Sequence, residues 1–205
     1  MLGWYVSKNE NKNEGDVYEV GLKPLSSDEE NLVVELTEEF HKKTEEINIE
    51  SFVEEYCKSE GIVLDDEQKG YITEYLKLNL GYCGIEKILE DERVEEICLI
   101  GIGKPIFVYL SGNGWMKTNL YFKNEEVAIN VINKMARSLG RRVTYQNPKL
   151  NAVLKDGSRI HASIRPISNI ELTIRKFRKN PVTVFDLINE GIFDSTEMAF
   201  LSTLF

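Results

Sequence analysis

The chemistry most plainly available to this 205-residue chain is the gripping of anions by arginine. Between Lys134 and Lys179 the sequence places twelve Lys and Arg against two acids, Asp156 and Glu171. Within that stretch Asp156-Gly157 is followed by RIHASIR. There the period of two in a strand sends Arg159, His161, Ser163 and Arg165 to one face and Ile160, Ala162 and Ile164 to the other. ELTIRKF then puts Arg175 on the same face as Thr173. Two neighbouring strands of this kind present guanidinium forks from a rigid support, a geometry suited to phosphate oxygens. The same pattern also fits an ordinary basic sheet face, or a set of partners for acids elsewhere in the chain.

Other chemistries find less support. A phosphate loop needs G-x-x-x-x-G-K-S/T, its hydroxyl ligating magnesium. Around Gly101-Ile102-Gly103-Lys104, Cys98 stands at the first glycine position and Pro105 at the hydroxyl position, so a turn between strands is expected instead. His41 and His161 are the only histidines, and neither has a metal-ligand or nucleophile companion at useful spacing. Both are expected to be structural or surface groups. Cys57, Cys83 and Cys98 are odd in number and lack any CxxC spacing, which points to free thiols in a reducing compartment. Acidic pairs such as Asp65-Asp66 and Glu95-Glu96 suit helix starts and solvated edges. No catalytic residue and no metal site is expected.

The elements that must position the arginines follow from the patterning. Residues 7–16 carry no large apolar side chain, so 1–16 is expected to be a flexible leader and the fold to begin near Val17. Ser27 with Glu30 has capping-box spacing, and Leu32, Leu36 and Phe40 share a face of a helix over roughly 27–43. Phe52, Val53, Tyr56 and Cys57 mark a second helix before Gly61, and Tyr71, Ile72, Tyr75, Leu76 and Leu80 a third before Gly81. Residues 17–80 therefore read as an acidic helical subdomain.

From Gly81 the texture changes. A short helix (Ile85, Ile88, Leu89) leads into EEICLIGI, PIFVYL and WMKTNLYF, with Gly112-Asn113-Gly114 supplying a hairpin. Asn124 caps a helix through Val127, Val131, Ile132, Met135 and Leu139, stopped by Gly140, and KLNAVL, RIHASIR and ELTIRKF complete the set. The order helix, three strands, helix, three strands makes 81–178 a small α+β sheet domain. Residues 179–205 read as a linker and first helices toward a further domain. The Asn180-Pro181 break opens them, Thr183 and Ser195 are caps, and an apolar tail ends without a stop signal. The chain is thus expected to be a piece of a longer protein.

Composition constrains partners. The net charge of −9 argues against a general nucleic-acid or membrane-surface binder, yet residues 1–100 carry −16 and residues 101–205 carry +7. No window approaches the length of apolar sequence that a membrane span needs, so any membrane role has to pass through a partner.

The order of the motifs carries a resemblance. GYCGIEKILEDERVEEICLIG, GRR, LKDGSRIHASIRPIS, LTIRKF and PVTVFDLINEGIFDSTEMAFL together resemble the N-terminal portion of the type II/type IV secretion ATPase superfamily. YEVGLKPLSSDEENLV resembles its archaeal secretion, pilus and archaellum branch. The resemblance implies a PAS-like sheet domain preceding a RecA-like motor domain, and a homo-hexameric ring at the cytoplasmic face of an integral-membrane platform protein. It implies ATP and magnesium as cofactors of the complete protein, with none expected on this piece, which lacks a Walker A motif and is not itself expected to turn over ATP. It also implies that the N-terminal domain lends arginines to the nucleotide phosphates; by motif these are Arg159 and Arg175, with Arg165 and Arg141 behind them. Nucleic acid is not among the partners it implies. The competing reading is a stand-alone adaptor whose acidic helices dock a basic partner and whose basic sheet binds nucleic acid or an acidic protein.

Overall fold

Capping chemistry starts each of the first three helices. In the computed structural model, which describes residues 2–7, 17–43, 47–177 and 183–204, α1 (Ser27–Lys42) begins with a capping box. The box joins Ser26 and Glu29, one residue before the expected Ser27 and Glu30. Both pairs have the right spacing; Glu30 is drawn away to Lys123, whose Nζ lies 2.8 Å from its carboxylate. Asn48 caps α2 (Ile49–Glu60), and Asp65 with Gln68 boxes α3 (Asp66–Leu80). The apolar faces of α1 to α3 pack on one another through Leu36, Phe52, Val53, Ile72 and Leu76.

A short helix, α4 (Ile85–Glu90), then leads into the sheet. Its strands are β1 (Trp4–Val6), β2 (Val17–Tyr18), β3 (Val94–Leu99), β4 (Pro105–Leu110), β5 (Gly114–Phe122), β6 (Lys149–Val153), β7 (Arg159–Ser163) and β8 (Glu171–Arg175). They run β1-β5-β4-β3-β8-β7-β6, antiparallel throughout, while β2 pairs in parallel with β5. Over 81–177 the order is the one the patterning predicts, α4, three strands, α5 (Glu125–Arg137), three strands, so the fold is α+β. Two three-stranded meanders meet at the middle, where β8 lies between β3 and β7. The turn at Gly101–Lys104 is a plain β3 to β4 connection, its Gly103 amide donating to the Phe122 carbonyl at 3.0 Å.

One face of the sheet carries the core. Ile97, Leu99, Ile106, Val108, Leu120, Phe122, Ile160, Leu172 and Ile174 are buried there, and α5 covers it with Val131, Ile132 and Met135. Burial of such side chains is worth about 1.5–3 kcal/mol each and holds the opposite face in place.

Residues 4–6 depart from the expected leader. Trp4–Val6 is a strand paired with β5, and Leu2, Trp4 and Val6 are buried. The Trp4 ring stacks on Tyr75 at 5.2 Å and its Nε1 donates to Asn79 Oδ1 at 2.9 Å, so β1 ties α3 to the sheet. The buried side chains of helices and sheet form one cluster across Gly81. Gly84 needs to be glycine: its φ is +90°, and a Cβ would meet the Trp4 ring at 3.2 Å.

Beyond the sheet lie α6 (Val184–Asn189), capped by Thr183 as predicted, and α7 (Ser195–Ser202), capped by Asp194 instead of Ser195. A carboxylate accepts the cap hydrogen bond more strongly than a hydroxyl, and Glu197 closes the box behind it. Neither helix buries a residue. The break predicted at Asn180-Pro181 lies outside the described residues. Among those described, no helix is long and apolar enough to cross a membrane.

Candidate functional site

The face of the sheet turned away from the core carries the arginines. Antiparallel pairing brings Val153, Arg159, Arg175, Glu96, Tyr109 and Trp115 into one row across six strands. A second row runs Asn151, His161, Thr173, Cys98, Phe107 and Lys117. Arg159 and Arg175 are direct cross-strand neighbours and both exposed. Opposed residues of antiparallel strands hold their Cβ atoms about 4.5–5.5 Å apart, so the two guanidinium groups start from a common base. Among the described residues neither guanidinium has an ion-pair or hydrogen-bond partner. Glu96, opposite Arg175 in β3, forms no salt bridge with it.

The neighbours of the pair shape a shallow depression of about 430 Å³, floored by Arg159, Arg175, His161, Thr173 and Asn151. His161 Nδ1 lies 2.5 Å from Asn151 Oδ1, which fixes the imidazole on the sheet surface. Thr173 Oγ1 meets Cys98 Sγ at 3.7 Å. Burial pushes the Cys98 thiol up, which disfavours the thiolate form. The depression therefore offers cationic and neutral donors, suited to an anion resting on the sheet.

The other two predicted arginines are elsewhere. Arg165 does not continue the period of two, because β7 ends at Ser163, whose hydroxyl is tied to Ser168 Oγ at 2.7 Å and Glu171 Oε2 at 3.3 Å. The chain then turns, and Arg165 pairs with Glu125 at the start of α5, 3.2 Å away. Arg141 sits beside the free edge of the sheet, its Nη1 donating to the Asn151 carbonyl of β6 at 2.5 Å. It blunts an edge that would otherwise present an open ladder. Two features of the face escaped the patterning. Tyr109 and Trp115, exposed and packed edge to face at 5.5 Å, extend the arginine row toward the hairpin tip. Their signal was present as aromatic residues alternating with buried ones in β4 and β5.

For metal chemistry the donor set is absent: among the described residues no group of three or more His, Cys, Asp or Glu side chains is placed to hold an ion. Cys57, Cys83 and Cys98 are free thiols. His41 is exposed, its Nδ1 donating to the Thr37 carbonyl at 2.7 Å.

Comparison with known proteins gives relatives whose names carry no activity. No family model matches the chain. It is 37% identical over 133 residues to uncharacterized protein MJ0781, 30% over 135 residues to uncharacterized protein MJ1288, and 31% over 165 residues to uncharacterized protein MJ0900, all of Methanocaldococcus jannaschii. These matches take in 63%, 65% and 77% of this chain. Among solved structures it is similar to the VirB11 ATPase from the Brucella suis type IV secretion system in complex with sulphate. That likeness has a TM-score of 0.47 and 22% identity over 60% of this chain and 37% of the other. The chain spans only 18%, 54% and 29% of the three archaeal relatives, so what it resembles is a portion of each.

Proposed function

We propose that this chain serves as the N-terminal domain of a ring-forming ATPase of the type II/type IV secretion superfamily, lending Arg159 and Arg175 to the nucleotide phosphates of a motor domain. The order of its sequence motifs supports the family; the observation that carries the role is the unpartnered cross-strand Arg159/Arg175 pair on the open face of the sheet. Like charges set directly opposite cost stability unless something else uses them. A phosphate group is the natural counterpart, because each guanidinium offers two parallel donors to tetrahedral oxygens and stays charged at every relevant pH. The arginines approach from outside the phosphate loop, so contact depends on closure of the sheet face onto the motor, and nucleotide occupancy is read as domain position. Arg165 and Arg141, each committed to another contact, act at most in support.

The acidic helices give the domain a second contact. A charge of −16 over residues 1–100 produces a field able to steer a basic cytoplasmic surface of a membrane platform protein, and salt weakens that approach.

The test is made in the parent protein. Its reading frame continues, on this proposal, into a G-x-x-x-x-G-K-S/T loop; a stop at position 206 counts against it. Arg159→Gln and Arg175→Gln then lower ATP turnover, by about 10³- to 10⁵-fold if the arginines stabilise the transition state and by less if they only sense. Wild-type turnover in both folded variants rejects the role.

A further inference from the structure

A second group of cations lies away from the sheet face, where the last turns of α1 and α3 meet α5. They line a cleft of about 580 Å³, within the range of small-ligand pockets. His41, Lys134, Arg137, Arg141, Arg142 and Asn130 face it, and among the described residues no carboxylate does. Lys134 has a structural duty: its Nζ donates to the terminal carbonyls of α3 at Asn79, Leu80 and Gly81, at 3.3, 2.9 and 2.9 Å. That satisfies the negative end of the helix and leaves Arg137 and Arg142 without this task. Neither guanidinium has an ion-pair or hydrogen-bond partner among the described residues. In a chain with 34 acids and 25 bases this is a specific arrangement, and several acids of the helical region are paired with other cations: Glu30 with Lys123, Glu39 with Lys42, Glu50 with Lys77 and Glu74 with Lys87.

The arginines are also held in place. After α5 the chain turns with Gly140 N donating to Arg137 O and Arg141 N to Ala136 O, both at 3.0 Å. Asn133 clamps the far end of the loop, accepting from Val143 N at 2.7 Å and donating to Val143 O at 3.2 Å. Arg141 fixes its middle to β6. A loop locked at three points loses little entropy when it binds.

From this geometry we infer that the cleft is a binding site for a small ligand carrying adjacent phosphate groups. The charged side chains of the lining, Lys134, Arg137, Arg141 and Arg142, only donate, and Lys134 already occupies the α3 carbonyls at its edge. A peptide brings as many donors as acceptors to a lining dominated by cations, whereas a polyphosphate presents acceptors and negative charge only. The site is independent of the sheet face, and its ligand is a free polyphosphate or the headgroup of a multiply phosphorylated lipid.

The experiment titrates the 205-residue chain with sodium tripolyphosphate by calorimetry at low salt. In Arg159→Gln/Arg175→Gln, which removes the sheet-face pair, one saturable site remains and weakens as salt rises. In Arg137→Gln/Arg142→Gln that site loses about tenfold or more in affinity, while Arg137→Lys/Arg142→Lys recovers part of it. Both arginines are exposed, so folding is retained and is checked by thermal melting; the single Arg142→Gln variant gives the same reading from the loop alone. A parallel sedimentation with phosphatidylcholine vesicles, with and without phosphatidylinositol bisphosphate, identifies a lipid source if only the phosphorylated vesicles carry the chain down. No saturable binding in the Arg159→Gln/Arg175→Gln chain to either probe, or unchanged binding in the cleft variants, overturns the assignment.

Discussion

Arg159 and Arg175 stand directly opposite each other across β7 and β8, two like charges on neighbouring strands with no acid between them. Such a pair costs roughly 0.2–1 kcal/mol relative to a neutral one. Arg175→Gln is therefore expected to leave the chain as stable as the wild type or more so by about that amount in urea denaturation. Adding sulphate should stabilise the wild type more than the variant. A clear loss of stability on substitution shows instead that Arg175 holds the sheet together.

Trp4 reports whether the first residues belong to the core. Its ring is buried, stacked on Tyr75, and hydrogen-bonded to Asn79. Trp4→Ala is expected to cost about 3–5 kcal/mol, the scale of deleting a large buried aromatic. The measurement is the urea midpoint; a change below about 1 kcal/mol contradicts the placement of β1.

Lys134 should prove structural. Lys134→Met keeps most of the aliphatic stem but removes three charge-assisted bonds to the end of α3, at an expected cost of about 1.5–3 kcal/mol. Hydrogen exchange of the amides near Leu80 should quicken with it. If only anion binding changes and the melt does not, Lys134 belongs to the ligand and not to the helix.

Asp91 gives a pH signature. Its side-chain bonds with Arg93, followed by the Arg93 amide and the Tyr18 hydroxyl, hold the carboxyl well below the usual carboxylate range against a smaller opposing effect of burial. A folded-state pKa below the unfolded one means that the stabilisation is complete above the unfolded value, about 3.9, and is lost as pH falls toward the folded one. The stability gap between wild type and Asp91→Asn should thus be constant near neutrality and close in acid. A gap that widens below pH of about 4 contradicts the sign.

Much of the fold could be read because its signals are long. Six strands of the sheet alternate over five or more residues, and α5 keeps its apolar stripe through Val131, Ile132 and Met135 between an Asn124 cap and Gly140. The misses occur where the signal is short or degenerate. Three residues of β1 are too few to show a period, and two overlapping Ser/Glu pairs compete for the same cap until Lys123 takes Glu30. At the candidate site, the face of Arg159 and Arg175 could be read within each strand. The fate of Arg165 could not, because parity fails once β7 stops at Ser163. The cleft was invisible, since His41 and Arg142, a hundred residues apart in sequence, come to line it only in the folded chain.

The insertion of β8 between β3 and β7 sets a schedule for biosynthesis. The meander of β3 to β5 can form as soon as Phe122 has left the ribosome, yet its β3 edge, with Glu96 to Leu99 waiting for Leu172 to Arg175, has no cover until the last strand appears. At about 5–20 residues per second the nascent chain spends seconds with a hydrogen-bonding edge open in its middle. Closure is non-local and therefore slow, and an open edge is where one chain can recruit another. The strand that delivers Arg175 to the surface is thus also the one that ends this exposure.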